Sequence, residues 1–119
     1  MQHPADLTVL SEKCLLMTYG IRNRGLMGIG VRISIDGGTN WRPPWVIHQF
    51  GPEAKDIGYP STVLLDKKGN LLTAFYTDYE PSLKKKPNRY RVLAKKWSLK
   101  DWLHPSIIDS ISDGKQLKI

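Results

Sequence analysis

Apolar and polar side chains alternate along much of the chain, and glycine or proline interrupts the alternation every few residues. The clearest run covers residues 29–35, where isoleucine or valine stands at every second position: Ile29, Val31, Ile33 and Ile35. A period of two predicts a β-strand with one buried face, on which these four side chains lie. Eight prolines and ten glycines leave few windows long enough for a helix. The pattern therefore predicts an all-β fold.

The same reading divides the chain into two groups of strands. The first group is predicted at residues 5–10, 14–20, 28–35 and 45–49, and the second at 60–66, 70–77 and 89–97. Short polar segments at 11–13 and 67–70 are typical of hairpin turns, and Gly69 can take a positive φ there. The apolar run from Cys14 to Met17 is typical of a central strand, in which Cys14 is a small core residue.

The two groups resemble each other in sequence. His3-Pro4 and Leu15-Leu16 recur as Tyr59-Pro60 and Leu71-Leu72, an offset of 56 residues at both ends that places Leu7 on Val63. A repeat of short strands at this period is typical of a β-propeller blade. The predicted propeller region covers residues 1–97, with one blade at 3–50, a second at 58–97 and a tail at 98–119.

The second blade lacks a fourth strand in this interpretation. The tail has loosely helical apolar spacing interrupted by Pro105, which leaves two alternatives, a short helix or a displaced fourth strand. Two blades cannot close a ring, and their open faces and edges would be exposed to water. Either the chain is the C-terminal piece of a longer propeller, or copies of it assemble into one.

Composition narrows the class of protein without naming a function. Apolar residues make up 40% of the 119 residues, and the formal net charge is +7. A single cysteine excludes an intrachain disulfide and a multi-cysteine zinc site, and the three histidines lack metal-ligand spacing. We expect no cofactor, no metal and no membrane span, and the N-terminal residues lack the pattern of a signal peptide. The compartment stays unknown.

The most specific motif is Ser34-Ile35-Asp36-Gly37-Gly38-Thr39-Asn40-Trp41. An aspartate followed by two glycines at the end of a strand predicts a tight turn whose backbone N–H groups bind the carboxylate. We expect Trp41 to fold back as an apolar plug between sheets. This segment resembles the Asp box of the sialidase (neuraminidase) superfamily, with Asn40 where that family usually has threonine. Asp boxes stabilise the fold and take no part in catalysis. The resemblance therefore implies a structural role for the four main residues of the motif: Ser34, Asp36, Gly38 and Trp41.

A second segment is similar to bacterial sialidase-like proteins. It comprises Asp56-Ile57-Gly58-Tyr59-Pro60-Ser61 and the strand Gly69-Asn70-Leu71-Leu72-Thr73-Ala74-Phe75-Tyr76. The resemblance covers residues 3–97 and implies the last two blades, the second incomplete, of a six-bladed sialidase-type propeller. It also implies an exo-glycosidase that hydrolyses a terminal acidic sugar from glycoconjugates, and sialic acid is the sugar that we expect.

The resemblance further implies individual roles. Tyr59 stands at the position of the family's tyrosine nucleophile, and Arg24 or Arg22 at the last member of its arginine triad, which binds the sugar carboxylate. Propeller geometry places both arginines in a loop between the second and third strands. Asp56 lies on the same side of the propeller and is a further candidate for substrate binding. The same side could also receive His3, Tyr79 and Arg89. Without a catalytic role, Tyr59 would be a buried aromatic residue. The family's acid/base aspartate, its activating glutamate and its first two arginines come from earlier blades.

Two other functions remain open from the sequence. A propeller of this kind can bind sugar without hydrolysis, alone or as a self-assembled ring of copies. The basic cluster formed by Lys84–Lys86 and Arg89–Arg91 can also hold a phosphate backbone, although such a run is more often a solvated loop. We therefore expect a glycan partner, together with further blades or further copies, and no nucleic acid.

Overall fold

The computed structural model describes residues 5–23, 25–52, 54–78 and 90–112, which form two antiparallel β-sheets. The first sheet contains β1 (Asp6–Val9), β2 (Leu15–Asn23), β3 (Leu26–Ser34) and β4 (Trp45–Phe50), in chain order. The second contains β5 (Ile57–Leu64), β6 (Asn70–Thr77) and β7 (Arg91–Ser98), also in chain order. A short 3-10 helix (Leu99–Asp101) and α1 (Pro105–Ser112) follow. The prediction of an all-β fold is confirmed.

Two strand limits differ from the sequence prediction in a way that matters for the site. β2 continues to Asn23, and Arg22 pairs with Met27 of β3, so the prediction that Arg22 lies in a loop is wrong. The ladder continues through the pairs Ile21–Gly28 and Arg22–Met27, and the Ile21 side chain is buried. At the other end of β3, Ile35 lies beyond the last strand residue and is exposed, so its predicted burial is wrong.

The core lies between the two sheets. Each sheet has an inner face toward the other sheet, and fully buried residues of both inner faces share one cluster: Leu16, Ile29, Val31, Ile33 and Leu71. Aromatic rings cross the interface, with Phe50 and Phe75 centroids 5.6 Å apart. The free thiol of Cys14 is buried in the same cluster, as the sequence predicts.

A network of hydrogen-bonded, buried hydroxyl groups joins the two sheets. The Thr62 hydroxyl donates to Thr18 Oγ1 at 3.1 Å and lies 2.8 Å from Thr73 Oγ1. Trp97 Nε1 donates to Thr73 Oγ1 at 2.8 Å. Buried polar groups destabilise a fold unless they are hydrogen-bonded. This network provides the hydrogen bonds of its own members and fixes how the two sheets face one another.

The internal repeat is real in the pairing register, but its offset is not uniform. Leu7 pairs with Met17 in the first sheet, and Thr62 pairs with Thr73 in the second. The offset is therefore 56 between β2 and β6 but 55 between β1 and β5, so Leu7 corresponds to Thr62 and not to Val63. The difference comes from the turns. Residues 10–14 connect the paired residues Val9 and Leu15, whereas residues 65–70 connect Leu64 and Leu71, so the second turn is one residue longer.

The tail forms a helix over its described part, which resolves the two alternatives for residues 105–112. Pro105 begins the helix, at a position where its missing N–H removes no hydrogen bond. Leu99 and Ile108 are buried in the core cluster. The Trp102 ring stacks on Trp45 with centroids 5.0 Å apart. Among the described residues, no helix has the length and apolar character needed to cross a membrane.

Candidate functional site

Five side chains meet at the end of the sheets where β2 and β6 finish. They form what we call the Asp56 cluster: Arg22, Asp56, Tyr59, Tyr76 and Tyr90. Arg22 is the second-to-last residue of β2, and Asp56 lies one residue before β5. Arg22 Nη2 lies 2.6 Å from Asp56 Oδ1, and both side chains are partly exposed. The structure thus brings together three of the four residues predicted for the site, Arg22, Asp56 and Tyr59.

The Asp56 carboxylate organises this cluster. Tyr76 donates its hydroxyl to Asp56 Oδ1 at 3.1 Å, and Tyr90 donates to Oδ2 at 2.7 Å. Partial burial, followed by the Asp56 hydrogen bond, raises the pKa of Tyr76. For Tyr90 the hydrogen bond to Asp56 is the main cause of the raised pKa. Both phenols therefore stay protonated as donors at neutral pH.

Tyr59 lies beside this network in a strained conformation. Its φ of +44° makes it the one non-glycine residue of the described chain with a positive φ, and it follows Gly58 at φ +151°. The β5–β6 register shifts between Gly58 and Ser61, so Tyr59 lies on a β-bulge. Its side chain is 62% exposed and its ring stacks on Tyr76 with centroids 5.6 Å apart. The alternative of a buried aromatic residue is therefore wrong.

The positive φ of Tyr59 has an energetic cost. A left-handed conformation costs a non-glycine residue roughly 1–2 kcal/mol, and such residues concentrate at functional sites. A glycine at this position would avoid the cost, because bulges accept glycine readily. Instead the chain places a large, exposed phenol there.

Asp78 is a supporting residue that sequence reasoning missed. It is buried, and its Oδ1 accepts the backbone N–H of Lys55 at 3.0 Å and that of Asp56 at 3.2 Å. Its own N–H donates to the Asp56 carbonyl at 3.0 Å. Asp78 thereby fixes the backbone that carries Asp56. An aspartate directly after a strand of alternating burial is the signal that could have pointed to it.

Two surface depressions flank the Arg22–Asp56 ion pair. One, of about 390 Å³, is lined by Asp56, Tyr76, Tyr90, Arg91 and Val92. The other, of about 830 Å³, follows the β2–β3 hairpin and the segment after β4, and Arg22 and Lys55 contribute its positive charges. Aromatic surface beside fixed charges suits a ligand with an apolar face and polar or anionic substituents.

The turn segment Ser34–Trp41 lies at the end of β3 opposite the Asp56 cluster. The backbone N–H of Asn40 donates to Asp36 Oδ1 at 2.8 Å, and Ser34 Oγ donates to the same atom at 2.8 Å. These contacts, chiefly the one from the Asn40 backbone, lower the pKa of Asp36 to about 2. The indole N–H of Trp41 donates to the Gly38 carbonyl at 3.1 Å, and Trp41 is half-buried beside the turn.

Several predicted residues lie outside the described residues. They are Arg24, His3, Tyr79, Arg89 and the basic run Lys84–Lys86. Their roles stay predictions. Within the part of the chain that the structure describes, no group of three histidine, cysteine, aspartate or glutamate side chains is arranged to hold a metal ion.

Comparison of the chain with protein-family models, with curated proteins and with solved structures finds no match. The fold and the Asp56 cluster are therefore interpreted from their own geometry.

Proposed function

We propose that this chain is the C-terminal part of a sialidase-like exo-glycosidase, with the Asp56 cluster as its share of the active site. The observation that carries the proposal is the exposed Tyr59 side chain, held at φ +44° on a bulge. The Arg22–Asp56 ion pair lies in the same cluster. In this proposal the two β-sheets are two blades of a propeller, and the first two arginines and the acid/base carboxylate come from other blades.

A tyrosine suits attack on an acidic sugar. Its neutral hydroxyl avoids the repulsion that a carboxylate nucleophile would experience beside the sugar carboxylate, and sialidases are exceptions among glycosidases for using tyrosine. The Tyr59 oxygen would bond to the anomeric carbon as the glycosidic C–O bond breaks, and the phenol proton would pass to a carboxylate. The leaving oxygen would take its proton from the acid/base carboxylate of another blade. Water would then hydrolyse the glycosyl-enzyme intermediate and restore the phenol.

Arg22 provides the charge for recognition. Arg22 holds Asp56 through Nη2, and a planar guanidinium is the side-chain group that best matches the two oxygens of a ligand carboxylate. The larger depression gives this ligand a positive wall, because Lys55 lines it together with Arg22. Arg24 is the further candidate for the same contact.

The second candidate function is sugar binding without hydrolysis. It is favoured by the succession of tyrosine rings, since the Tyr59–Tyr76 and Tyr76–Tyr90 centroids are 5.6 Å and 5.7 Å apart. Such a row offers apolar faces to the C–H face of a sugar ring, while Asp56 accepts hydrogen bonds. Both candidates place the glycan at the same cluster and differ in whether Tyr59 reacts.

The test of the site is a titration of the ¹⁵N-labelled chain with methyl α-sialoside, followed by NMR. We expect saturable shifts at Tyr59, Tyr76 and Arg22, and a loss of affinity of at least about tenfold in Arg22→Ala. Arg42→Ala is the matched control, because the exposed Arg42 follows the Asp-box turn at the opposite end of β3. Equal effects of the two substitutions, or no shifts at the cluster, would contradict both candidate functions.

A further inference from the structure

Three side chains from different strand ends bind the Asp56 carboxylate. Arg22 and Tyr76 both contact Oδ1, at 2.6 Å and 3.1 Å, and Tyr90 donates to Oδ2 at 2.7 Å. Arg22 lies on β2 and Tyr76 on β6, and Tyr90 lies one residue before β7. A guanidinium and two hydroxyl groups thus bind both carboxylate oxygens, which is also how proteins recognise the carboxylate of a ligand.

The backbone at Asp56 is fixed without the Asp56 side chain. Asp78 Oδ1 accepts the N–H groups of Lys55 and Asp56 at 3.0 Å and 3.2 Å, and the Asp78 N–H donates to the Asp56 carbonyl at 3.0 Å. These three bonds do not involve the Asp56 carboxylate. The side chain can therefore turn out of the cluster while the segment before β5 keeps its place.

The Arg22–Asp56 ion pair is only partly buried. The two side chains are 30% and 26% exposed, and Tyr90 is 61% exposed. Ion pairs that water reaches contribute little to stability, because water screens them and solvates each charge when they separate. Arg91 lines the smaller depression together with Asp56, so a displaced carboxylate has water and a cation on the same side. Exchanging one carboxylate for another at these donors therefore costs little free energy.

We propose that Arg22, Tyr76 and Tyr90 form the carboxylate-binding site of this protein, which the Asp56 carboxylate fills until the carboxylate of the ligand takes its place. The inference rests on the proposed function, because it states how the same acidic sugar is held. It adds the hydroxyl groups of Tyr76 and Tyr90 to the groups that bind the sugar carboxylate. It also makes Asp56 a competitor of the ligand at these three donors.

Removal of the resident carboxylate tests this exchange. The ¹⁵N-labelled Asp56→Ala chain is titrated with sodium acetate at constant ionic strength, and NMR shifts of Arg22 and Tyr76 report binding. We expect saturable binding at least about tenfold tighter than in the unsubstituted chain, because three donors lose their internal acceptor. Asp66→Ala is the matched control. It removes another exposed aspartate, which binds Asn70 four residues away, and should leave the affinity of the cluster unchanged.

Two double variants separate donor geometry from overall charge. Removing any aspartate favours anion binding through charge alone, whereas a built site also depends on its hydroxyl donors. We expect Tyr76→Phe and Tyr90→Phe, each added to Asp56→Ala, to weaken acetate binding at least about threefold. Circular dichroism identifies a chain that fails to fold. Asp56→Asn, which keeps the side-chain shape but not its charge, then replaces Asp56→Ala with the same expected direction.

Several outcomes would overturn the exchange. Acetate binding that is absent from Asp56→Ala, or no tighter than in the unsubstituted chain, would show that Asp56 does not compete for these donors. Tighter binding that both phenylalanine substitutions leave unchanged would show a general charge effect instead.

A parallel titration with methyl α-sialoside separates this proposal from the proposed function. Acetate binding by Asp56→Ala without sialoside binding by either chain would support the carboxylate site and contradict the sugar assignment. Equal sialoside affinity in Asp56→Ala and the unsubstituted chain would support the sugar assignment and overturn the exchange.

Discussion

Asp36 and Asp56 lie at opposite ends of the first sheet's strands, and both are surrounded by donors, but the origins of those donors differ. The partners of Asp36 come from Ser34 and Asn40, at most four residues away in the chain. The partners of Asp56 are distant in sequence: Arg22 lies 34 residues before it, Tyr76 lies 20 residues after it and Tyr90 lies 34 residues after it. A carboxylate with local partners stabilises a turn, whereas Asp56 holds together side chains that come from distant parts of the chain.

A third aspartate makes the comparison stronger. Asp66 repeats the Asp36 arrangement in the β5–β6 turn, since its Oδ1 accepts the Lys68 N–H at 2.8 Å and its Oδ2 accepts the Asn70 amide at 2.7 Å. The spacing of aspartate and asparagine is four residues in both turns. The molecule thus uses one local device twice at one end of its sheets and a different, long-range cluster at the other.

The largest effect is expected from Asp78→Ala. This change leaves the Lys55 and Asp56 N–H groups without their buried acceptor, which costs about 2–4 kcal/mol of unfolding free energy in total. Urea denaturation measures the loss. Asp66→Ala is the matched control and should cost much less, because that carboxylate is exposed. Equal losses in the two variants would show that Asp78 does not support the Asp56 end.

Tyr59→Gly, compared with Tyr59→Ala, sharpens the comparison in the opposite direction. Both variants lose the stacking on Tyr76, and only glycine relieves the strain of the positive φ, so the unfolding free energy of Tyr59→Gly should be about 1 kcal/mol above that of Tyr59→Ala. At Ser61, outside the strained position on the same strand, the glycine variant should instead be about 0.5–1 kcal/mol less stable than the alanine variant. A Tyr59→Gly variant less stable than Tyr59→Ala would contradict the conclusion that Tyr59 is held against its local preference.

The pH dependence of stability tests the local arrangement around Asp36. The folded-state pKa of Asp36 is about 2, below the ordinary value of 3.8. Its contribution to stability is therefore present above pH 3.8 and is lost as the pH falls from about 3.8 to about 2. Asp36→Asn should show a shallower acid transition in this window. An NMR titration of the Asp36 carboxyl with a midpoint near 3.8 would contradict the turn geometry.

The smallest effect is expected at Tyr90. Its pKa is raised chiefly by the hydrogen bond to Asp56, so Asp56→Asn should lower the pKa of Tyr90 toward 10. Ultraviolet absorbance of tyrosinate follows this titration, with Tyr90→Phe identifying the contribution. Asp66→Asn, at the other end, should leave the curve unchanged, and a shift of equal size in that variant would show a general charge effect.

Short-range sequence patterns predicted the strands and the turns because both depend on neighbours. The alternation at Ile29, Val31 and Ile33 placed β3, and the aspartate–glycine run placed the turn after it. The hairpin extension that puts Arg22 on β2 was missed, since pairing across β2 and β3 overrides local preference. The 55-residue offset of β1 and β5 depends on one additional turn residue that an apparent repeat conceals.

The candidate site was only partly predictable. Arg22, Asp56 and Tyr59 were predicted through a resemblance. Asp78 was missed because its partners are backbone N–H groups, so its position directly after a strand is the one sequence signal it offers. The strain at Tyr59 has no sequence signature, because it arises from the bulge in the β5–β6 pairing.

The central claim, that Tyr59 is a nucleophile in a cluster built for an acidic sugar, is tested most directly by covalent labelling. A fluorinated sialosyl fluoride needs no protonation of its leaving group, so the acid carboxylate of another blade is not required, and an alkaline buffer supplies the base that takes the phenol proton. We predict one sugar adduct per chain by mass spectrometry, with the Tyr59 oxygen bonded to the anomeric carbon and fluoride released. The adduct should be absent in Tyr59→Phe and present in Tyr90→Phe. Sugar binding without any adduct on Tyr59 would contradict the catalytic claim and leave the cluster as a binding site.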